Sequence, residues 1–282
     1  MTSSPFIRHQ PVYTCNFRNW QQNIPRLLQA AGLIEKLPSQ KPVLIKPNLV
    51  ESIAPPITTP VELIAALIDY IQTRSPETRI IIGEGCGSLS YDTSHCFSEL
   101  GYSDMARARS VELLDLNHAP LTRRVKEKCR RWPEMHLPQI VYDSFLISVP
   151  VLKAHSLATV TLTMKNMMGL APPCFYQQGG CWQKAAFHDR IQMSILDLNR
   201  YRSPDFTLLD ATIGMQEAHL WGPTCTPPPN LLAAGFDPVA LDAFGTGLLG
   251  KDWRTVAHIH LAHGELGYAE PLQIIKVNGH GE

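Results

Sequence analysis

A chain of 282 residues, 44% of them hydrophobic, has the apolar surface to bury a sizeable core, and one α/β domain over residues 1–282 accommodates it. Its 25 basic and 25 acidic side chains balance, which excludes the broad positive field of a nucleic-acid binder or of an anionic-membrane binder. No run of about 20 apolar residues occurs and MTSSPFIRHQPVYTC lacks an apolar leader core, so a soluble, cytoplasmic protein is expected, with no nucleic acid and no membrane among its partners.

The first strong strand is Val43–Lys46, ended by Pro47 and followed by Asn48. Thr58-Thr59-Pro60 then opens the helical pattern VELIAALIDYIQTR, with a threonine cap and a proline in the first turn. Arg79–Gly83 is a second strand and runs into the glycine-rich turn GEGCGS, which carries Glu84 and Cys86. Val111–Leu116 is a third. The stretch His118–Gln139 is the most polar and basic of the chain, and reads as an exposed excursion or a small flap. Ser144–Val149 leads into VPVLKAHSLATVTLTMKNMMGL, residues 149 to 170, a mostly apolar stretch that nevertheless holds Lys153, His155, Lys165 and Asn166.

APPCFYQQGGCWQ, residues 171 to 183, has no periodicity and is expected to be an irregular, ordered loop of the length that serves as a lid or binding loop. FHDRIQMSILDLNRYR repeats apolar residues at helical spacing, Phe206–Asp210 is a strand, and DPVALDAFGTGLLG is again helical. WRTVAHIHLAHGELG reads as a helix whose histidines, His258, His260 and His263, are structural, since only the last two share a face. Leu272–Val277 is the final strand. Strands alternating with helices imply an α/β fold with a largely parallel sheet flanked by helices.

Polar residues recur where strands end, and in parallel α/β sheets ligands bind beyond the carboxyl ends of strands. Lys46 and Asn48 follow the first strand, Glu84 the second, Lys153 and His155 the fourth, and Asp210 closes the fifth. A buried unpaired charge costs several kcal/mol, so these groups must meet water, one another or a ligand. Three ammonium groups (Lys46, Lys153, Lys165) and two amides (Asn48, Asn166) suit an anion, a carboxylate or a phosphorylated metabolite. Crowded lysines also depress one another's pKa, which makes an amine available as base or nucleophile. The expected catalytic set is His155, Lys153 and Asp210, with Asp210 as the partner of His155. Lys46, Asn48, Glu84, Lys165, Asn166, His188 and Asp242 are expected to bind ligand. The competing structural account has Lys153 pairing with Asp210 inside the core and Lys165 and Asn166 capping a short helix. GEGCGS lacks the last glycine of a dinucleotide-binding turn, and no P-loop, nucleophile elbow or H-E-x-x-H pair occurs.

The seven cysteines are scattered, with no C-x-x-C pair, and imply reduced thiols. If they converge in space, Cys86, Cys174, Cys181 and Cys225 are the candidate ligands for a metal or an iron–sulfur cluster.

VLIKPNLV, IIIGEG, FLISVPVLKAH, VTLTMKNMMG, FTLLDATIGM and LLAAGFDPVALDA, in this order, resemble the family called domain of unknown function 362, as does the pattern from Asp237 to Asp242. Members of that family stand alone or are fused to iron–sulfur modules, which implies an α/β fold and leaves a redox partner open. This chain lacks the clustered cysteines of the fused members. Its segment EAHLWGPTCTPPP keeps the family's Gly-Pro, here Gly222 and Pro223, but follows it with Cys225 and three prolines. Three functions are therefore open: an enzyme acting on a small anionic molecule, a metal-linked redox protein, and a binding module that uses HAPLTRRVKEKCRR. A homo-oligomer is compatible with all three.

Overall fold

The computed structural model describes residues 9–180 and 182–277. Its strands are β1 (Val12–Asn16), β2 (Val43–Lys46), β3 (Ile80–Glu84), β4 (Glu112–Asp115), β5 (Leu121–Val125), β6 (Glu134–Pro138), β7 (Phe145–Ser148), β8 (Val151–His155), β9 (Thr159–Thr161), β10 (Phe206–Met215), β11 (Leu231–Gly235) and β12 (Ile274–Lys276). Ten of them form one sheet in the order β12-β1-β11-β10-β7-β2-β3-β4, with β8 paired to β10 and to β9. From β4 across to β10 every neighbouring pair is parallel. Antiparallel pairings appear where β11 joins β10 and β1, and where β9 joins β8.

The central strands are apolar on both sides because both faces of the sheet are covered. Side chains alternate across a strand, so Val43 and Ile45 enter one core with Ile24, Leu63, Leu67 and Ile82. Leu44 points into the other, with Ile81, Leu146, Ile195 and Leu209. The helix Val61–Arg74 covers the first face, while Ile191–Tyr201 and Pro238–Leu248 cover the second.

The expected helix start at Thr58-Thr59-Pro60 holds in position but not in chemistry. Pro60 occupies the cap and no side chain caps the helix. Thr59 instead accepts from Asn48 N (2.8 Å) and donates to Val149 O (2.7 Å), tying the segment after β2 to the end of β7. The basic stretch from His118 is a β5–β6 hairpin, a two-stranded sheet of its own. It is clamped rather than free: buried Asp197 accepts from Arg131 N (2.8 Å) and Trp132 N (3.1 Å), and Met135 and Leu137 enter the core. Two of its charges are met within the chain, Arg123 by Glu134 and Lys128 by Glu265. Among the described residues no helix is long and apolar enough to cross a membrane.

Strand order places a crevice. The chain leaves β2 for β3 and β4 on one side, then returns to put β7 and β10 on the other. The reversal point of such a sheet is between β2 and β7, and the loops leaving the two strand ends diverge there.

Candidate functional site

At that point lies a cavity of about 300 Å³, small-molecule size. Lys46, at the end of β2, is buried, and its Nζ donates to Glu84 Oε1 at 2.6 Å and to Pro47 O at 3.0 Å. Glu84, at the end of β3, also accepts from Leu49 N on Oε2 and from Gly85 N on Oε1, both at 2.9 Å. Burial lowers the Lys46 pKa and the Glu84 carboxylate opposes that shift. Asn48 links the next pair: its Nδ2 donates to Asn166 Oδ1 (3.0 Å), and its Oδ1 accepts from Lys153 Nζ (2.7 Å). Asn166 Nδ2 donates to Ser148 Oγ (3.1 Å), so the amide is held by the end of β7. A Cβ at Gly169 would overlap Glu84 Oε1 and Lys46 Nζ, so any larger residue there would displace the pair.

Lys153 is fully buried and, among the described residues, has only neutral acceptors, Asn48 Oδ1 and Ile57 O (2.6 Å). Its pKa lies well below the usual lysine range, first through burial and then through the charge of Lys165. Lys165 lines the cavity, and among the described residues its ammonium has no hydrogen-bond or ion-pair partner. Burial, and behind it the charge of Lys46, brings it down to about 8.

Two imidazoles on the wall are set in opposite senses. Leu157 N and Ala158 N both donate to His155 Nδ1 at 3.1 Å, which places the ring proton on Nε2. His188 Nδ1 lies 3.2 Å from Lys184 O, an acceptor, so the proton is on Nδ1 and Nε2 carries a lone pair. Burial, followed by the charge of Lys165, depresses both pKa values and keeps both rings neutral.

Lys46, Asn48, Glu84, Lys153, His155, Lys165, Asn166 and His188, expected from the sequence, thus meet on one cavity. Asp210 and Asp242 do not line it. Asp210 lies beside Val151 in the β10–β8 ladder, two residues short of Lys153, and its carboxylate turns back to accept from Thr212 N at 2.9 Å. It is the partner of neither Lys153 nor His155, whose bonds go elsewhere. Asp242 is fully buried on the helix Pro238–Leu248 and accepts from Thr163 N (2.7 Å) and Met164 N (3.0 Å). It anchors the start of the short helix Thr163–Asn166, which presents Lys165 and Asn166.

Lys184, His219 and Glu51 also line the cavity and were not anticipated. Lys184 Nζ donates to Ala171 O (2.6 Å) and Asn117 Oδ1 (2.7 Å), which ties the loop after residue 171 to β4's end. Burial lowers its pKa to about 8. His219 stacks on His155 with ring centroids 4.1 Å apart. The GEGCGS turn leaves few amides for a ligand: Gly85 N serves Glu84, and Gly87 N donates to Val50 O.

The cysteine candidates are dispersed. Cys86 is buried with its Sγ toward Tyr91 O, Cys225 is buried beside Gly214, Cys174 is exposed, and Cys181 lies outside the described residues. Among the described residues no three His, Cys, Asp or Glu side chains converge as a metal-ligand set.

No curated protein matches the chain. Residues 43–247 match the family described as domain of unknown function DUF362, a span that includes every cavity residue named above, and the chain belongs to that family.

Proposed function

We propose that the chain is an enzyme that binds a small carboxylate or phosphate in this cavity and moves a proton on it. The observation that carries the reading is the ammonium of Lys165, which lines the cavity with no partner among the described residues. Lys46 is neutralised by Glu84. Among the described residues Lys184, at about 8, bonds only uncharged oxygens, so at neutral pH it and Lys165 leave the cavity a positive surplus over the Glu51 carboxylate for a ligand to offset. A group so placed binds an anion as a point charge with three donors. His188 Nε2 is suited to accept a proton, and the neutral His155 Nε2–H to donate a hydrogen bond to the oxygen on which charge develops. His188, expected from the sequence to bind ligand, is here the proton acceptor.

The charge requirement sets a pH dependence. Lys165, at about 8, is protonated below that value and neutral above it. Anion affinity is therefore full near pH 7 and falls about tenfold for each unit above the pKa. Thermal-shift titrations with acetate and inorganic phosphate at pH 7 and pH 9.5 should show that loss, and Lys165→Met should bind weakly at both. Binding indifferent to pH and to Lys165→Met sinks the reading. The enzymatic part has its own check. Carboxylates that stabilise the protein are incubated with it in heavy water, and deuterium at the carbon beside the carboxylate is followed by NMR. Exchange that is absent, or that persists in His188→Gln, removes the assigned proton acceptor.

A further inference from the structure

The wall of the cavity is mixed in a way that a bare anion does not use. Lys153, Lys165 and Lys184 supply one polar region, while Leu157, Leu220, Met168, Val50 and Trp182 supply apolar surface to the same space. Two of these are held out of the core: Leu157 is 58% exposed and Trp182 56%. Single exposed apolar residues on a surface need no explanation, but here they converge on one concave site with an unpartnered ammonium. The stacked rings of His155 and His219 add a flat, uncharged face. A hydrophilic ligand such as acetate or phosphate would leave Leu157 and Trp182 in water. A ligand with an apolar body would cover them, and water displaced from apolar surface is the main source of affinity in small-molecule sites.

We infer that the ligand of this cavity is an amphipathic anion, with a carboxylate or phosphate head at Lys165 and an apolar body against Leu157 and Trp182. The inference rests on the anion site proposed above and specifies its substrate class. The flanking chain supports it, because both apolar residues sit on loops. Leu157 belongs to the β8–β9 turn that follows His155. Trp182 is two residues before Lys184, whose two hydrogen bonds fix the loop's end. The same short segments therefore supply a polar contact and an apolar one, and a single ligand reaches both.

Matched pairs of probes test it, each pair sharing a head and differing in body: acetate against benzoate, and inorganic phosphate against phenyl phosphate. The wild-type protein should bind the member with the ring at least tenfold more tightly, which is about 1.4 kcal/mol. In Trp182→Ala and Leu157→Ser, both at exposed positions where folding is not in question, the ratio within each pair should shrink toward one. In Lys165→Met, both members should weaken together. Equal affinities within each pair, with binding still dependent on Lys165, overturn the apolar body and leave the anion site standing. A ring preference that survives both wall substitutions overturns the placement of the body. Binding of neither member in any Lys165-dependent way overturns the anion site and this inference with it.

Discussion

Replacing Glu84 by alanine should destabilise the protein by about 3–5 kcal/mol, the cost of leaving one partner of a buried ion pair alone. The size follows from what the carboxylate holds. It accepts from Lys46 Nζ, Leu49 N and Gly85 N, and the Lys46 and Glu84 side chains are 1% and 3% exposed. Removing it takes away the charged partner of the Lys46 ammonium, which keeps only the neutral Pro47 O and Asn166 Oδ1 among the described residues, and leaves two backbone donors without their acceptor. At about 2–4 °C per kcal/mol for a chain of this order, the melting temperature should drop by roughly 10 °C. Glu84→Gln should recover little, since one amide oxygen cannot serve three donors and its NH2 group adds a fourth donor to the cluster.

The ion pair itself is weak evidence for stability, because two apolar residues of similar volume often do as well. A double substitution separates the contributions. Lys46→Met with Glu84→Leu removes both charges and leaves only the amides of Leu49 and Gly85 unpaired. Its loss should be smaller than that of Glu84→Ala alone, and the remainder measures those two amides. If Glu84→Ala costs less than about 1 kcal/mol, Lys46 has found other acceptors, and the pair is not what organises the strand ends.

The strand ends also show where sequence is informative. β2, β3, β7 and the start of β10 are short apolar runs, the first two rich in β-branched residues, and their limits fall within about a residue or two of the pattern. Lys46, Asn48, Glu84, Lys153 and His155 were legible because polar residues directly after such runs stand out. β8 and β9 were not seen as separate strands: Pro150 breaks the run, and Lys153 and His155 spoil its apolar pattern. Small residues hide β11, whose LLAAG suits helix and strand alike. Lys184 lies at the end of an aperiodic loop, where nothing local distinguishes it from a solvated lysine; only its bonds to Asn117 and Ala171 mark it. His219 was equally silent.

Asp210 and Asp242 failed for a different reason. Each carries the right chemistry near the right strand or helix, but a carboxylate can be consumed by backbone amides that sequence does not reveal. Asp210 is turned onto Thr212 N, and Asp242 onto Thr163 N and Met164 N. For Asp242 that use still concerns the site. The helix Thr163–Asn166 is a single turn, too short to hold itself together in isolation. Its first two amides are fixed from outside by Asp242, and its last two residues are Lys165 and Asn166. Asp242 is therefore a positioning residue for the ammonium assigned to the ligand.

Asp242→Ala should accordingly cost stability and affinity together. Two buried donors lose their acceptor, at about 1–3 kcal/mol each, and the turn carrying Lys165 loosens, so acetate or phosphate should bind at least several-fold more weakly. Asp242→Asn keeps the shape and one acceptor, and should fall between the wild type and Asp242→Ala in both measurements. A pH series adds a readout that loss of packing alone does not move. Burial pushes the Asp242 carboxyl up to about 7, against the amides that lower it. A folded pKa above the unfolded value means that the native state holds its proton over a wider range, so this group's contribution is most favourable below about pH 4 and declines as pH rises toward 7. The wild type, measured by urea unfolding from pH 4 to 7.5, should lose stability relative to Asp242→Asn over that window and run parallel to it above. Parallel curves throughout would mean that the carboxyl does not titrate there. Unchanged anion affinity in Asp242→Ala would show that Lys165 keeps its place without this anchor.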